Sequence, residues 1–404
     1  MTNKDITKIY FQGNEIVALY RGDTLIFKKS GGGSTTEPTG VYTVRGEIIP
    51  DTFPPVTSIQ LIVNGESEQI EVKGNKTLEY TFTNVPVTNM DYLAVNCREK
   101  LKTLDLSSFD TSQVNSMRET FYQCTNMEEI NLTNVDTSKV TNMESTFDSC
   151  KKLTSLDLSN FNTSNVNNMS YMFYNCITLT SLDLSSFDTS KVTDIRSMFR
   201  YCSALTSLDV SNFNTSNVTT MMEMFSGCSA LTSLDLSNFD TSKVTNMSYM
   251  FAGCSNLTSL DLSSFDTSNV VVMTEMFSGC SALTSLDLSS FDTSKVTDIR
   301  SMFRYCESLM NVYLNFDASS VQNFGYIFHY DDNLANVVGK FEGTKYDLSL
   351  SSCPLTADSA MVFINGLATV TEKRTLSLSA TTYDSLTPEQ IAIATAKGWT
   401  VTRN

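Results

Sequence analysis

The sequence has little of what most enzymes and nucleic-acid binders need. It holds one histidine, His329, so a Ser-His-Asp or Cys-His centre would have to be built on that residue, and no partner motif accompanies it. Cations are scarce: 28 Lys and Arg stand against 44 Asp and Glu, a net charge of −16. Nucleic-acid phosphates are bound by clustered cations, so no nucleic-acid partner is expected. Apolar runs fall far short of the ~18 residues of a spanning helix, so no membrane insertion is expected. No CxxC or CxH spacing occurs, and no metal or cofactor is expected. The opening MTNKDITKIYFQGNE lacks a basic-then-apolar leader and a lipidation cysteine, and the closing KGWTVTRN lacks an anchor. The expectation is a non-enzymatic chain made, and at first kept, in the cytoplasm.

What is present is repetition. The 24 residues LTSLDLSSFDTSKVTDIRSMFRYC occur twice, from Leu179 and again from Leu283, 104 residues apart. Phe121, Phe147, Phe173, Phe199, Phe225, Phe251, Phe277 and Phe303 recur every 26 residues, and so do eight cysteines from Cys124 to Cys306. The twin segments are therefore four periods apart. Eight repeats run from Leu101 to Ser308, and a degenerate ninth covers roughly 309–333.

Each repeat reads as strand, turn and short helix. Leu234 and Leu236 alternate with polar residues, as in a half-buried strand. Asp240, Thr241 and Ser242 offer side-chain oxygens to cap a helix start. Val244, Met247, Met250, Phe251 and Cys254 then follow a spacing of three or four, and Gly253 suits a helix stop. One such unit cannot bury its apolar side alone, so the repeats are expected to stack into an α/β solenoid with one strand and one short helix per 26 residues.

The cysteine row reads first as small buried filler, with disulfides after release into an oxidising medium and metal binding as lesser readings. The outward row Asp105, Asp157, Asp183, Asp209, Asp235, Asp261 and Asp287 reads as a solvated acidic face; calcium or a basic partner is the alternative. The row Asp110, Asp136, Asp188, Asp240, Asp266 and Asp292 reads as helix caps. The constant strand contrasts with the variable turn-to-helix surface. That surface carries Tyr171; Arg196, Arg200 and Tyr201; Tyr249; and Arg300, Arg304 and Tyr305. Arg and Tyr are favoured at recognition hot spots, so these eight are the candidate binding residues. Arg196 and Arg200, four apart, are expected to share a helix face.

LTSLDLSNFDTSKVTNMSYMFAGCSN resembles the 26-residue repeat of BspA-like leucine-rich-repeat surface proteins of bacteria. The resemblance covers 101–333. It implies a leucine-rich-repeat solenoid, and a role as an adhesin or as a phage protein.

The flanks suggest attachment. Residues 1–29 hold KIYFQGNEI and ALYRGDTLIF, two strand-turn units too small for much core, which are expected to pack on a partner or on copies of themselves, as in a trimer. They resemble short N-terminal modules of phage tail and fibre proteins. That resemblance makes Tyr10, Phe11, Tyr20 and Phe27 docking candidates. Residues 30–40 read as a flexible linker. Residues 41–97 read as a small antiparallel, Ig-like β domain, with Asn64-Gly65 as a hairpin turn. The repeats occupy 98–333, and 334–404 reads as degenerate capping repeats. There Thr356 and Thr387 sit at N-cap positions, and Leu348/Leu350 lie 28 residues before Leu376/Leu378.

The expectation is a bacteriophage virion protein, a head or tail fibre or decoration protein. It would meet other virion proteins through its N-terminus and a host-surface protein or glycan through its repeats. The alternative is a bacterial cell-surface adhesin of the BspA-like type.

Overall fold

The computed structural model describes residues 87–404 throughout. Ahead of them it describes the backbone at 7–11, 14–21, 24–28, 41–48, 58–73 and 77–83, with side chains only at Arg45, at 59–67 and at 69–70. The first three strands, β1 (Thr7–Phe11), β2 (Asn14–Arg21) and β3 (Thr24–Lys28), pair antiparallel as a meander. The next four are β4 (Val41–Ile48), β5 (Ser58–Val63), β6 (Glu66–Lys73) and β7 (Thr77–Thr83). With β8 (Leu101–Asp105) and β9 (Glu129–Asn131) they make one six-stranded sheet, in the order β5-β6-β7-β4-β8-β9. β5 pairs with β6 along its whole length, whereas β6 meets β7 only at Val72–Leu78 and Lys73–Thr77. β4 runs antiparallel to β8, with Gly46 opposite Leu104, so the sheet passes without a break into the first repeats.

From there the chain winds as a solenoid of about twelve coils of roughly 25 residues, mostly extended, with little helix. The stretch 231–236 is extended, with Leu231, Leu234 and Leu236 buried and Asp235 exposed. Paired strands are assigned on this side only at the ends of the array: β8 with β9, then β10 (Ser285–Leu288), β11 (Asn311–Asp317) and β12 (Asn336–Glu342), all parallel. The strongest continuity lies elsewhere. A line of single parallel bridges runs Ser116, Asn142, Asn168, Asp194, Thr220, Asn246, Val272, Asp298, Asn323, one residue per coil.

The predicted helix is absent from the array. Between Met247 and Cys254 the chain makes a series of tight turns. Met247, Tyr249, Phe251 and Gly253 donate their amides to Val272, Thr274, Met276 and Ser278 of the next coil, and such bonds measure 2.6–3.2 Å across the array. The residues between them close local turns: Met250 to Met247, Ala252 to Tyr249, Cys254 to Phe251. The reason is spacing. Packed helices need about 8–10 Å between axes, whereas extended chains stack at about 4.8 Å. The core phenylalanines, Phe121 through Phe303 to Phe328, stack ring on ring with centroids 5.0–5.9 Å apart. Coils that close together leave no room for a helix on every rung.

The turn side carries a backbone cost. Two residues per coil hold positive φ, among them Tyr249 (58°) and Gly253 (75°), and most such positions are not glycine. Each non-glycine case costs about 1–2 kcal/mol. The cross-coil bonds, roughly 1 kcal/mol each and four per coil, offset it.

Every ladder cysteine is buried, and from Cys150 to Cys306 each thiol donates to a phenylalanine carbonyl of the preceding coil, as from Cys254 to Phe225 at 3.2 Å. Burial pushes these thiols well above their ordinary range. The ladder starts one coil earlier than the leucine pattern suggests. In VTNMDYLAVNC at 87–97 the amides of Met90, Tyr92 and Ala94 already bond to Ser116, Arg118 and Thr120. Ala94 takes the phenylalanine place, which hides this half-coil from a search for phenylalanine.

The far end changes design. Strands β13 (Leu348–Leu350), β14 (Arg374–Leu378) and β15 (Trp399–Arg403) pair parallel, with Leu348 opposite Leu376 and Leu350 opposite Leu378. True helices α1 (Ala357–Gly366), α2 (Ala380–Asp384) and α3 (Pro388–Ala396) connect them. Thr356 and Thr387 cap α1 and α3; Thr387 and Gln390 form a reciprocal capping box. Phe363 of α1 packs edge-on against Phe328, the last ring of the stack.

Candidate functional site

The turn side is a built surface. Its backbone is tied coil to coil, and the positive-φ residues form two rows, in which tyrosines such as Tyr201, Tyr305, Tyr326 and Tyr330 are exposed while Ser145, Ser149, Ser197, Glu223 and Ser301 are buried. One row reads Glu119, Ser145, Tyr171, Ser197, Glu223, Tyr249, Glu275, Ser301, Tyr326; the other reads Gln123, Ser149, Asn175, Tyr201, Gly227, Gly253, Gly279, Tyr305, Tyr330. Glycine in the second row makes room: a Cβ on Gly227 would come within 2.4 Å of the Tyr201 ring.

The candidate binding residues fall on this side in two groups, with Tyr249 between them. Tyr171 and Arg196 are neighbours of the first. Tyr171 is half-buried and meets Tyr174 edge-on at 5.8 Å, and Tyr174 meets Tyr201 in the same way. Arg196 is exposed and ion-pairs with Asp194 of its own coil. Arg200 lies over the Tyr174 and Tyr201 rings, at 5.8 and 4.7 Å, and ion-pairs with Glu223 of the next coil. Arg196 and Arg200 therefore serve different carboxylates and do not share a helix face.

The second group is the twin cassette. Arg300 makes a looser pair with Asp298, at 3.7 Å. Arg304 donates to the Tyr305 hydroxyl at 3.0 Å and lies over the Tyr305 and Tyr326 rings, at 4.6 and 5.6 Å. Tyr305 stacks flat on Tyr330 at 4.8 Å, and His329 lies edge-on to Tyr326 and Tyr330. Tyr326, His329 and Tyr330 escaped the sequence reading because the ninth repeat is one residue short. Aligning Phe303 with Phe328 would have placed Tyr330 beside Tyr305. Tyr249 lies between the two groups, within electrostatic reach of Glu223, the partner of Arg200, and of Arg300. It is half-buried, and burial together with the nearby Glu275 raises its hydroxyl above the ordinary range. The side chains of Tyr10, Phe11, Tyr20 and Phe27 lie outside the described residues.

Both acid rows do local work. Asp235 accepts from the Ser237 amide and Asp240 from the Ser242 amide, and these bonds hold both carboxyls below their usual range. No helix follows Asp240; its neighbour Thr241 donates instead to the Asp266 carbonyl of the next coil. The second row therefore sets turns, not helix caps. Among the described residues no group of three or more His, Cys, Asp or Glu is placed to hold a metal ion. No helix there is long and apolar enough to cross a membrane.

The repeats match the family described as "Mycoplasma protein of unknown function, DUF285", over residues 88–181, 177–260 and 231–341. No curated protein matches the chain.

Proposed function

Because the chain belongs to the DUF285 family of repeat proteins, with 88–341 matched, we propose that it is a non-enzymatic display protein whose solenoid presents the Arg-Tyr turn side to a host-surface protein or glycan. The observation that carries this reading is the difference between the sides of the coil. The leucine side repeats LTSLDL almost unchanged, while the turn side holds Arg196, Arg200 and Tyr201 and, four coils on, Arg300, Arg304 and Tyr305 on a backbone tied at every second amide. A tied backbone lets arginine and tyrosine bind with little further loss of freedom.

The proposed setting is a phage virion, with the β1–β3 meander docking on virion proteins and 30–40 as tether. The repeat's likeness to bacterial surface proteins favours a second setting, the bacterial envelope. Replacing Arg196, Arg200, Arg300 and Arg304 by alanine is expected to weaken binding of the purified chain to host cells at least tenfold. Unchanged binding would reject the turn side. Immunogold labelling of a source-culture lysate decides the setting: gold on particles supports the virion, gold on envelopes the cell surface.

A further inference from the structure

The chain contains its own control for the turn side. Residues 179–202 and 283–306 are identical, so Arg200 and Arg304 have the same neighbours within their coils. The next coil differs. Arg200 meets Glu223, which neutralises it. At the matching place Arg304 meets Tyr326, and among the described residues it pairs with no carboxylate. One copy of the cassette is closed by a carboxylate; the other holds a cation with none.

The surroundings of Arg304 are also the most open aromatic surface of the array. Tyr326, Tyr330 and Tyr305 are 61%, 46% and 39% exposed. Two further features mark unmet hydrogen bonding. Nδ1 of His329 is buried with no partner. The coil-to-coil amide series also stops here: Tyr305 still donates to His329, but the amides of Tyr326 and Tyr330, next in the series, meet no acceptor among the described residues. A site with an unopposed guanidinium, spare donors and flat exposed rings suits an anion carried on a ring with apolar faces.

We infer that Arg304, Tyr305, Tyr326, His329 and Tyr330 form a binding site for an acidic saccharide, its carboxylate or sulfate held by Arg304 and a sugar face laid on the exposed tyrosines. This rests on the display reading above and names its ligand class. The Glu223 that closes the sister copy shows how the site can be shut: a carboxylate at position 326 would take the ligand's place.

The test is calorimetric titration of the full chain with sialyllactose, tri-galacturonate and a heparin hexasaccharide, with lactose as the neutral control. At least one acidic sugar is expected to bind and lactose is not. Arg304→Gln and Tyr326→Glu are each expected to weaken that binding tenfold or more. Glutamate is tolerated at this backbone position, since Glu119, Glu223 and Glu275 hold it with φ of 53–60°. The inference is overturned if no acidic sugar binds, if lactose binds equally, or if both variants bind as the parent does. Cell binding that survives periodate destruction of surface sugars would place the contact on protein and overturn it too. If the four-arginine variant loses cell binding while the parent binds none of these sugars, the saccharide inference fails and the display reading stands.

Discussion

In the array, the eight residues from Met247 to Cys254 send every second amide to the next coil; in the C-terminal cap, the nine residues of α3 keep their amides within the helix. Both segments return apolar residues every three or four positions. In the array the return comes from successive tight turns, two of them with positive φ, and in the cap from helical winding. Coil spacing separates the two. Rings stacked near 5.8 Å leave no space for a helix on every coil, whereas the cap joins only three strands, and there α1 and α3 pack against each other, with Lys397 donating to the Ile364 and Asn365 carbonyls. A turn ladder therefore couples each coil to the next through every second amide, whereas a helix keeps most of its amides to itself and reaches the neighbouring coil through the backbone only at its end, as where Gly366 of α1 accepts from the Gly343 amide at 2.8 Å.

That comparison can be broken most decisively in the phenylalanine stack. Phe225 is fully buried between Phe199 and Phe251, at 5.9 Å from each. Alanine there is expected to cost about 3–5 kcal/mol in urea unfolding. Leu386→Ala in the cap, at a site 9% exposed, is expected to cost about 2 kcal/mol. Equal losses would mean that stacked coils are no more tightly coupled than the cap.

The junction between the two designs offers a second test. Asp331 stands where the other coils carry the ladder cysteine. It is fully buried; one oxygen accepts from the Cys306 amide and the other has no partner. Burial raises its carboxyl to about 8, with Asp332 adding to the effect and the Cys306 amide opposing it. The folded state then keeps a proton that the unfolded chain releases near 3.8. Stability contributed by this group is complete below about pH 4, falls as pH rises toward 8 by up to about 1.4 kcal/mol per unit, and levels off above. Asp331→Cys, which restores the ladder residue, is expected to flatten the slope between pH 6 and 8. An unchanged slope would show that Asp331 is not its source.

The smallest effect is the most diagnostic, because its sign reverses between the regions. Ser301 holds φ of 52° on the turn side, so Ser301→Gly relieves strain and is expected to stabilise by about 0.5 kcal/mol. Ala392 is an exposed residue inside α3, so Ala392→Gly is expected to destabilise by about 1 kcal/mol. Thermal melts of the two variants should move in opposite directions.

Much of this was legible beforehand. The 26-residue period, the buried phenylalanine and cysteine rows, the exposed Asp between paired leucines, and the caps at Thr356 and Thr387 follow from residue type and position. The array helix was misread because the spacing of Val244, Met247, Met250, Phe251 and Cys254 reports only how often the chain turns inward. It does not report which acceptor each amide finds. The half-coil at 87–97 was missed because Ala94 replaces the marker phenylalanine. Tyr326, His329 and Tyr330 were missed because a coil one residue short shifts the register.

By itself the sequence determined that the chain repeats, which residues go inside, and that Arg and Tyr collect on the variable side. Only the tertiary structure decided that the variable side is a ladder of turns, and that Arg200 is neutralised while its twin Arg304 is not. Those outcomes depend on what the next coil supplies at about 5 Å, whether a carbonyl for an amide or Glu223 in place of Tyr326, and such contacts lie about 25 residues away along the chain.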